Sequence, residues 1–414
     1  MNVLAKSWSA RSDSGRLAYA AVFVFLAALT VLHWGFYRQH LILDTIEYQH
    51  YGNAMAHGHV PYRDFPVEYP PGALPAFVLP ALGHADVDHF RIFNREFELL
   101  MALCGVGALA AMALALRALG ATQIRAAAAL GFAALAPLVL GSVLLYRFDL
   151  WPTALAVAGV AAVLAGRDRL GFAALGLGVA VKVFPAVLVP PVLAYVWRSR
   201  GRREALLALA TGAAVAFACV LPFLALAPHG VWESVVRQTT RPLQIESLGS
   251  AILLAAHHAA GLGLTMDSSH GSQNLAGSLP DALGAVSSAL LAVALLAIWT
   301  AAARGPASPE RLVRFAVASL VAFVAFGKVL SPQFMIWLIP LVPLVRGVRG
   351  LAAASLLGLA LLLTQLWFPY RYWPLALHFD ATASWLVLAR DLVLLALLAV
   401  LVVPTKREPE PARS

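Results

Sequence analysis

Long apolar runs alternate with short polar segments along almost the whole chain. A helix that crosses a membrane needs about 20 predominantly apolar residues, so these runs predict membrane-spanning helices. The candidate spans are Leu17–Tyr37, Phe97–Leu116, Ala126–Tyr146, Leu150–Gly166, Ala205–Ala227, Ala282–Ala303, Phe315–Val329, Phe334–Val345, Leu351–Phe368 and Ala383–Val403. The pattern therefore predicts an all-α polytopic membrane protein with about ten full spans.

The segment Leu170–Trp197 departs from this pattern because it is too long for one simple span. Its middle reads VKVFPAVLVPP and contains Lys182, Pro185, Pro190 and Pro191. Arginines flank both ends, and arginines gather on the cytoplasmic side of membrane proteins. The segment is therefore predicted to form a broken, re-entrant helix pair that enters from inside and returns, or a pair of short spans.

Charge is distributed unequally between the two sides of this threading. Most of the 30 Lys and Arg residues fall in the inner segments, whereas the outer segments hold most of the acids. The positive-inside rule then predicts a multi-pass plasma-membrane protein with both termini in the cytoplasm. We expect one transmembrane domain over residues 1–403 and a cytoplasmic tail over 404–414. The outer loops 38–96, 228–281 and 369–380 are long or chemically rich, which indicates a site at the outer, extracytoplasmic interface.

Composition agrees with this class. The chain is 61% hydrophobic and 12% charged, against about 25% charged residues in soluble domains. The net charge of +9 follows from the inner loops, and no basic and aromatic patch predicts nucleic acid as a partner. Cys104 and Cys219 both lie in apolar runs and predict neither a disulfide nor a cysteine-based metal site.

The first outer loop has the most unusual composition in the chain. DTIEYQHYGNAMAHGHVPYRDFPVEYPPG, residues 44–72, mixes acids, histidines, prolines and tyrosines. Asp44 follows the first span by about seven residues, near the lipid headgroups, where it is a candidate base for a substrate that arrives in the membrane. Glu47 shares a helical face with it if this part is helical. Interleaved aromatics and carboxylates are typical of sugar sites, but aromatics are also typical of membrane interfaces.

This loop resembles the first outer loop of the GT-C glycosyltransferases of glycosyltransferase family 87, the polyprenyl-phosphate-mannose-dependent mannosyltransferases of actinobacteria. Four further motifs resemble the family in order. They are RFDLWP at Arg147–Pro152, VKVFPAVLVPP at Val181–Pro191, RPLQIES at Arg241–Ser247 and KVLSPQFMIWLIP at Lys328–Pro340. The resemblance covers nearly the whole chain.

The resemblance implies a GT-C-type helix bundle with structured outer loops. It also implies an inverting transfer of a sugar at the outer face, from a polyprenyl-phosphate donor and with Asp44 as the catalytic base. The acceptor, a lipid-linked or envelope glycan, varies within the family and does not follow from the resemblance. Membrane lipid is the remaining expected partner.

The chemistry of such a transfer defines the other candidate residues. Because the leaving phosphate is already stable as an anion, one base and cationic stabilisation suffice, unlike the two carboxylates of glycosidases. The candidate cations for the donor phosphate are Lys182, Lys328, Arg241 and Arg147. The candidate substrate-binding residues are Glu47, Tyr48, Tyr62, Glu68, Tyr69, Gln244, Glu246 and Gln333. Asp149 is expected to pair with Arg147 or to orient a substrate.

No cofactor is expected, and the sequence contains neither an HExxH motif nor a cluster of cysteines and histidines. A divalent metal, held mainly by Asp44 and Glu47, remains an alternative. Two other classes of function remain open, a membrane transporter or flippase for a lipid or solute, and a non-catalytic partner in polymer assembly. The short inner loops, the polar surplus on one face and the lack of an internal repeat favour a one-sided enzyme.

Overall fold

Helices form most of the structure, a computed structural model that describes residues 2–83 and 89–403. In this part of the chain 17 α-helices are joined by turns, short 3-10 segments and three β-strands. The helices are α1 (Asn2–Val31), α2 (Thr45–Ala56), α3 (Leu74–Val78), α4 (Phe90–Ala118), α5 (Gln123–Leu140), α6 (Leu150–Leu164), α7 (Asp168–Val181), α8 (Val189–Arg200), α9 (Arg202–Leu226), α10 (Pro228–Thr239), α11 (Leu248–Ala260), α12 (Ser278–Arg304), α13 (Pro309–Phe326), α14 (Phe334–Leu338), α15 (Gly347–Trp367), α16 (Tyr372–His378) and α17 (Ala381–Val402). The all-α polytopic class is confirmed, and the expected tail over 404–414 lies outside the described residues.

Six helices of the described chain are long and apolar enough to cross a membrane. They are α4, α5 with its 3-10 extension to Leu144, α9, α12, α15 and α17. Each coincides with a predicted span. The other predicted spans are shorter or more charged, since the apolar part of α1 covers Gly15–Val31 and α13 carries Glu310, Arg311 and Arg314 in its first two turns.

One predicted span, Phe334–Val345, is not a continuous helix. Helix α14 ends at Leu338 after five residues, and a 3-10 turn follows at Val342–Leu344. Pro340 and Pro343 explain the interruption, because proline has no N–H to donate and its ring clashes with the preceding turn. Most of the segment is buried, so it packs inside the bundle.

The segment Leu170–Trp197 is broken, as predicted. Helix α7 ends at Val181, Lys182 has extended backbone angles, and a 3-10 turn at Phe184–Leu188 leads into α8. Pro185 lies in the first turn of that 3-10 segment, where its missing N–H has no helical partner to lose. Because α7 packs on both α6 and α9, the break lies within the bundle.

The first and second outer loops, 38–96 and 228–281, meet at the same end of the bundle and contain regular secondary structure. Three strands form an antiparallel sheet in the order β1-β3-β2, with β1 at Leu243–Gln244, β2 at Thr265–Ser269 and β3 at Ser272–Ala276. His270 and Gly271 join β2 to β3, and both have positive φ, as a two-residue type I′ turn requires. A Cβ on Gly271 would lie 3.0 Å from a carboxylate oxygen of Glu68, so the hairpin tip touches the first loop.

Two ion pairs hold α7, α8 and α9 together at the opposite end of the bundle. Arg200 at the end of α8 pairs with Asp168 at the start of α7. Arg169 pairs with Glu204 in the first turn of α9 at 2.9 Å. These contacts fix the start of α7 and the end of α8. The break between these two helices therefore lies between two anchored ends.

Candidate active site

Asp44 lies directly before α2, at the end of the bundle that carries the long loops. Its side chain does not cap the helix. Instead its Oδ1 lies 2.9 Å from Nη1 of Arg147, which precedes α6. The Asp44 side chain is 35% exposed, although charged and aromatic residues surround it. The carboxylate therefore lies in a recess formed by these residues and remains partly accessible to solvent.

Arg147 is almost fully buried and is oriented by the backbone around it. Its Nη1 also donates to the carbonyl oxygens of Tyr146 and Ile42, at 3.2 and 3.4 Å. The expected pairing of Arg147 with Asp149 is wrong, because Arg147 pairs with Asp44 instead. Residues two apart at a helix start do not face each other, so the two side chains point to different neighbours.

Asp149 is fully buried and pairs with the cation at the break of α7. Its Oδ1 lies 2.7 Å from Nζ of Lys182 and accepts a hydrogen bond of 2.6 Å from Nε1 of Trp337. Its Oδ2 has no partner among the described residues. The site thus contains two separate ion pairs, Asp44 with Arg147 and Asp149 with Lys182.

Aromatic rings surround the ammonium group of Lys182. Its Nζ lies 4.7 Å from the ring centre of Phe148, 5.3 Å from Trp337 and 5.8 Å from Phe334. Phe334 and Trp337 also stack on each other at 4.0 Å. Cations are attracted to ring faces, so the rings hold Lys182 at a fixed position while its ammonium keeps free N–H donors.

Burial raises the pKa of the Asp44 carboxyl above its ordinary value. The negative charges of Asp149 and Glu68 raise it further, whereas Arg147 and Lys182 act in the opposite direction. A carboxylate with a raised pKa is a stronger base than an ordinary aspartate. Burial in the recess therefore makes the Asp44 carboxylate more basic than that of an exposed aspartate.

The predicted tyrosines have different positions relative to Asp44. Tyr48 is buried beneath the recess, stacked on Phe77 at 4.6 Å and hydrogen-bonded to Tyr69. Tyr62 donates its hydroxyl to the carbonyl of Tyr69 at 2.5 Å. Tyr69 itself is half-buried and lies edge-on to Phe148 at 4.9 Å. Tyr69 is thus the tyrosine of this set with partial exposure, while Tyr48 and Tyr62 pack the loop beneath it.

The two acids expected beside Asp44 differ as well. Glu68 is half-buried, lies 3.6 Å from Arg237, and accepts a hydrogen bond from Gln238 through its backbone carbonyl. Its charge acts on Asp44. Glu47 is exposed and hydrogen-bonds to Tyr51, and it is not among the groups that shift the pKa of Asp44.

A second polar cluster is buried behind β1. Nε2 of Gln244 donates to Glu246 at 2.5 Å and to Ser331 at 2.9 Å. Arg390 of α17, also fully buried, donates to the backbone carbonyl of Glu246 at 2.6 Å and forms an ion pair with its neighbour Asp391 at 2.7 Å. Burial raises the pKa of Glu246 to about 8. These residues brace the second loop against the bundle and present little surface to a substrate.

Three further candidates make no hydrogen bond or ion pair, within the described chain, to the four residues of these two ion pairs. Lys328 donates to the carbonyl of Thr239 at 2.9 Å, and Arg241 lies 3.5 Å from the side chain of Gln238. Gln333 is half-buried and makes no hydrogen bond with another described side chain. The structure therefore joins Asp44, Arg147 and Lys182 in one site and does not bring Lys328 to it.

Sequence reasoning missed Asp149 as the partner of Lys182, and it missed Trp337 and Phe148 altogether. Trp337 lies in the motif KVLSPQFMIWLIP, but it is one apolar residue among many there. No local pattern therefore distinguishes it as a site residue. Among the described residues, no group of three or more histidines, cysteines and acids is placed to hold a metal ion.

Helices able to cross a membrane, together with a recessed acid flanked by fixed cations, define an integral membrane protein with the features of a group-transfer enzyme. The model of glycosyltransferase family 87 matches residues 67–332, well over half of the chain. The protein therefore belongs to glycosyltransferase family 87 and is a glycosyltransferase. The match includes Arg147, Asp149 and Lys182, whereas Asp44 lies before it.

Comparison with solved structures found the crystal structure of ArnT from Cupriavidus metallidurans bound to undecaprenyl phosphate. The two chains share 15% sequence identity with a TM-score of 0.47, over 93% of this chain and 76% of ArnT. The search of curated proteins gave no match.

Proposed function

We propose that this glycosyltransferase moves a sugar, mannose in our interpretation, from a polyprenyl-phosphate donor to a lipid-linked or envelope glycan acceptor. The reaction takes place at the extracytoplasmic face, with Asp44 as the general base. The observation that carries the proposal is the recessed Asp44 carboxylate at 2.9 Å from the buried Arg147. A base and a fixed cation then lie together at the mouth of a hydrophobic bundle.

The proposed reaction needs one proton acceptor and positive charge for the leaving group. The acceptor hydroxyl attacks the anomeric carbon from the face opposite the phosphate, and Asp44 takes the hydroxyl proton. The new glycosidic C–O bond forms as the anomeric C–O bond to the phosphate breaks, and its electron pair stays on the polyprenyl phosphate. The anomeric centre is thereby inverted.

Arg147 and Lys182 are the cations that suit the leaving phosphate. Lys182 is held by Asp149 and by three rings, and it retains N–H donors for an oxyanion. Preorganised cations of this kind stabilise developing charge without rearranging during the reaction. A sugar ring between the Asp44 recess and Lys182 would also meet the half-buried Tyr69.

A lipid-carried donor also agrees with the location of the site. Nucleotide sugars remain in the cytoplasm, so an extracytoplasmic transferase requires a donor that crosses the membrane attached to lipid. In this proposal the site lies near the membrane boundary, because a 3-10 turn at Gly35–Arg38 and a short extended segment join the apolar helix α1, which ends at Val31, to Asp44.

The proposal is tested by incubating membranes that contain the protein with radiolabelled polyprenyl-phospho-mannose and identifying the labelled product. Asp44→Asn is nearly isosteric and removes the base, so we expect transfer to fall roughly 10²- to 10⁴-fold with donor binding retained. Asp64→Asn is the matched control in the same loop, where Asp64 pairs with the exposed Arg63, and it should transfer normally. Wild-type transfer by Asp44→Asn would show that another group is the base.

A further inference from the structure

A cavity of about 440 Å³ lies beside the site that holds Asp44. Three arginines from two separate segments line it, Arg38 after α1 and Arg91 and Arg95 on α4. Leu43 and Tyr146 form part of its wall. These two residues directly precede Asp44 and Arg147, so the cavity lies one residue away from both members of that ion pair. We call it the arginine cavity.

The acid in the lining of the arginine cavity is already engaged. One carboxylate oxygen of Glu98 accepts a hydrogen bond from Asn94 at 2.6 Å, and the other lies 2.8 Å from Nε2 of His33. Asn94 in turn accepts from the hydroxyl of Thr45, the residue after Asp44, at 2.9 Å. A polar chain therefore connects the cavity floor to the start of α2, and it uses both oxygens of Glu98.

The three guanidinium groups, by contrast, contact no acid in residues 2–83 and 89–403. Within the described residues no hydrogen bond or ion pair joins Arg38, Arg91 or Arg95 to a carboxylate. Arg91 and Arg95 are four residues apart on one helix, and like charges at that spacing repel each other. A third positive charge from Arg38 adds to the repulsion. Three positive charges around one hollow make a favourable site for an anion.

We propose that the arginine cavity binds a phosphate group. Guanidinium groups bind phosphate through paired N–H donors, and three of them around one hollow match its several acceptor oxygens. The volume lies within the usual range for small-molecule sites and leaves room for more than a phosphate alone. Lys182 does not line the cavity, so this oxyanion site is separate from the one proposed for the donor.

The phosphate has two possible sources, a lipid headgroup and free inorganic phosphate. The full-length protein, purified in uncharged detergent, is therefore offered three probes. They are inorganic phosphate, followed by calorimetric titration, and phosphatidylglycerol and diacylglycerol of matched chains, counted by native mass spectrometry. We expect at least one phosphate-bearing probe to bind and diacylglycerol to bind less. Binding of phosphatidylglycerol without binding of inorganic phosphate identifies a lipid headgroup as the source. Binding of inorganic phosphate identifies the free anion as the source.

The double variant Arg38→Gln/Arg95→Gln should weaken that binding about tenfold or more for each arginine removed. Both residues are exposed, and unfolding without ligand checks that the variant is folded. Arg63→Gln is the matched control, since it removes a positive charge from the same end of the bundle but outside the cavity. Equal binding by the wild type and the double variant would overturn the proposal, as would no binding of either phosphate probe. Asp44→Asn should bind normally, which separates this inference from the proposed transfer.

Discussion

At the scale of single residues, the two ion pairs at the site affect the basicity of Asp44. Asp44 shares its neighbourhood with Arg147 and Lys182, while Asp149 binds Lys182 directly and leaves the Asp44 carboxylate with Arg147 alone. Burial raises the pKa of Asp44, and Arg147 limits that rise. The pKa of Asp44 is therefore a balance between burial and the surrounding charges, of which Arg147 has the largest effect.

Replacing Arg147 should change the pH dependence of transfer. In the proposed reaction Asp44 is a base only when deprotonated, so activity should fall as the pH drops through its pKa. Arg147 lowers that pKa, and Arg147→Gln should therefore raise it and move the acid limb of kcat/KM to higher pH. The measurement is a pH–rate profile from membranes, with Arg63→Gln as a control that leaves the limb in place. An unshifted limb in Arg147→Gln would mean that a group other than Asp44 titrates there.

The pair of Asp149 and Lys182 makes a different prediction, about stability. Lys182→Met leaves a fully buried carboxylate without its cation, which should lower the free energy of unfolding by roughly 3–5 kcal/mol. Adding Asp149→Asn removes the uncompensated charge and should restore most of that loss, as measured by thermal unfolding in detergent. The double variant should still use the donor poorly, because the ammonium is absent. Recovery of both stability and donor use would assign Lys182 a purely structural role.

These residues show which parts of a site a sequence can predict. Asp44 and Lys182 are visible because each charge stands where the surrounding pattern is apolar or interfacial. Their partners cannot be predicted from the sequence. Arg147 contacts a residue about a hundred positions away, and Trp337 is one apolar residue in an apolar segment. The spacing of Glu47 from Asp44 predicts that the two share a helical face, but the Glu47 side chain hydrogen-bonds to Tyr51 instead. Local spacing predicts which face a residue occupies, and only tertiary packing decides its partner.

At the scale of elements, the first loop is held against the break between α7 and α8. Gly72 lies so close to α7 that a Cβ would come within 2.6 Å of the backbone carbonyl of Ala180. Trp151 of α6 donates to the carbonyl of Gly72 at 3.3 Å. The loop that follows Asp44 is thereby fixed to the helix that ends beside Lys182. The position of Asp44 relative to Lys182 should therefore depend on this contact.

Gly72→Ala should therefore disturb the site although it touches no substrate. Backbone cannot move aside as a flexible side chain can, so we expect a loss of roughly 1–3 kcal/mol of stability and reduced transfer. Gly131→Ala in α5 is the matched control, because nothing lies within 4 Å of the added Cβ. Thermal unfolding and transfer assays on both variants decide the matter. Equal behaviour of the two would show that the loop does not depend on this contact.

Hydropathy predicted the elements to the extent that they are long and apolar. The six long spans and the break near Lys182 were predicted because lipid imposes length and prolines impose interruption. The division of Phe334–Val345 was missed, although its prolines were visible, because its apolar composition resembles that of a span. The loop helices and the β2–β3 hairpin were outside the reach of hydropathy, since they are stabilised by contacts with distant segments.

At the scale of the whole molecule, the proposed orientation makes one prediction that does not depend on catalysis. A single cysteine introduced at Ser268, on the exposed β2–β3 hairpin, should react with a membrane-impermeant maleimide in intact cells. A cysteine at Ser199, at the opposite end near the start of α9, should react only after lysis. Cys104 and Cys219 are both free and are first replaced by alanine. Labelling of Ser199→Cys but not of Ser268→Cys in intact cells would contradict the proposed orientation and support the opposite one.

Helices α6 and α7 are too short to cross a bilayer unaided, and this affects how the chain is made. Fifteen and fourteen residues give lengths of about 20 Å, against a hydrocarbon core of about 30 Å. Neither segment is therefore a good substrate for the insertion machinery when it leaves the ribosome alone. Both should be retained near the translocon until the long helix α9 emerges and packs along α7. Biogenesis of this enzyme should accordingly proceed by release of a helical group rather than one helix at a time.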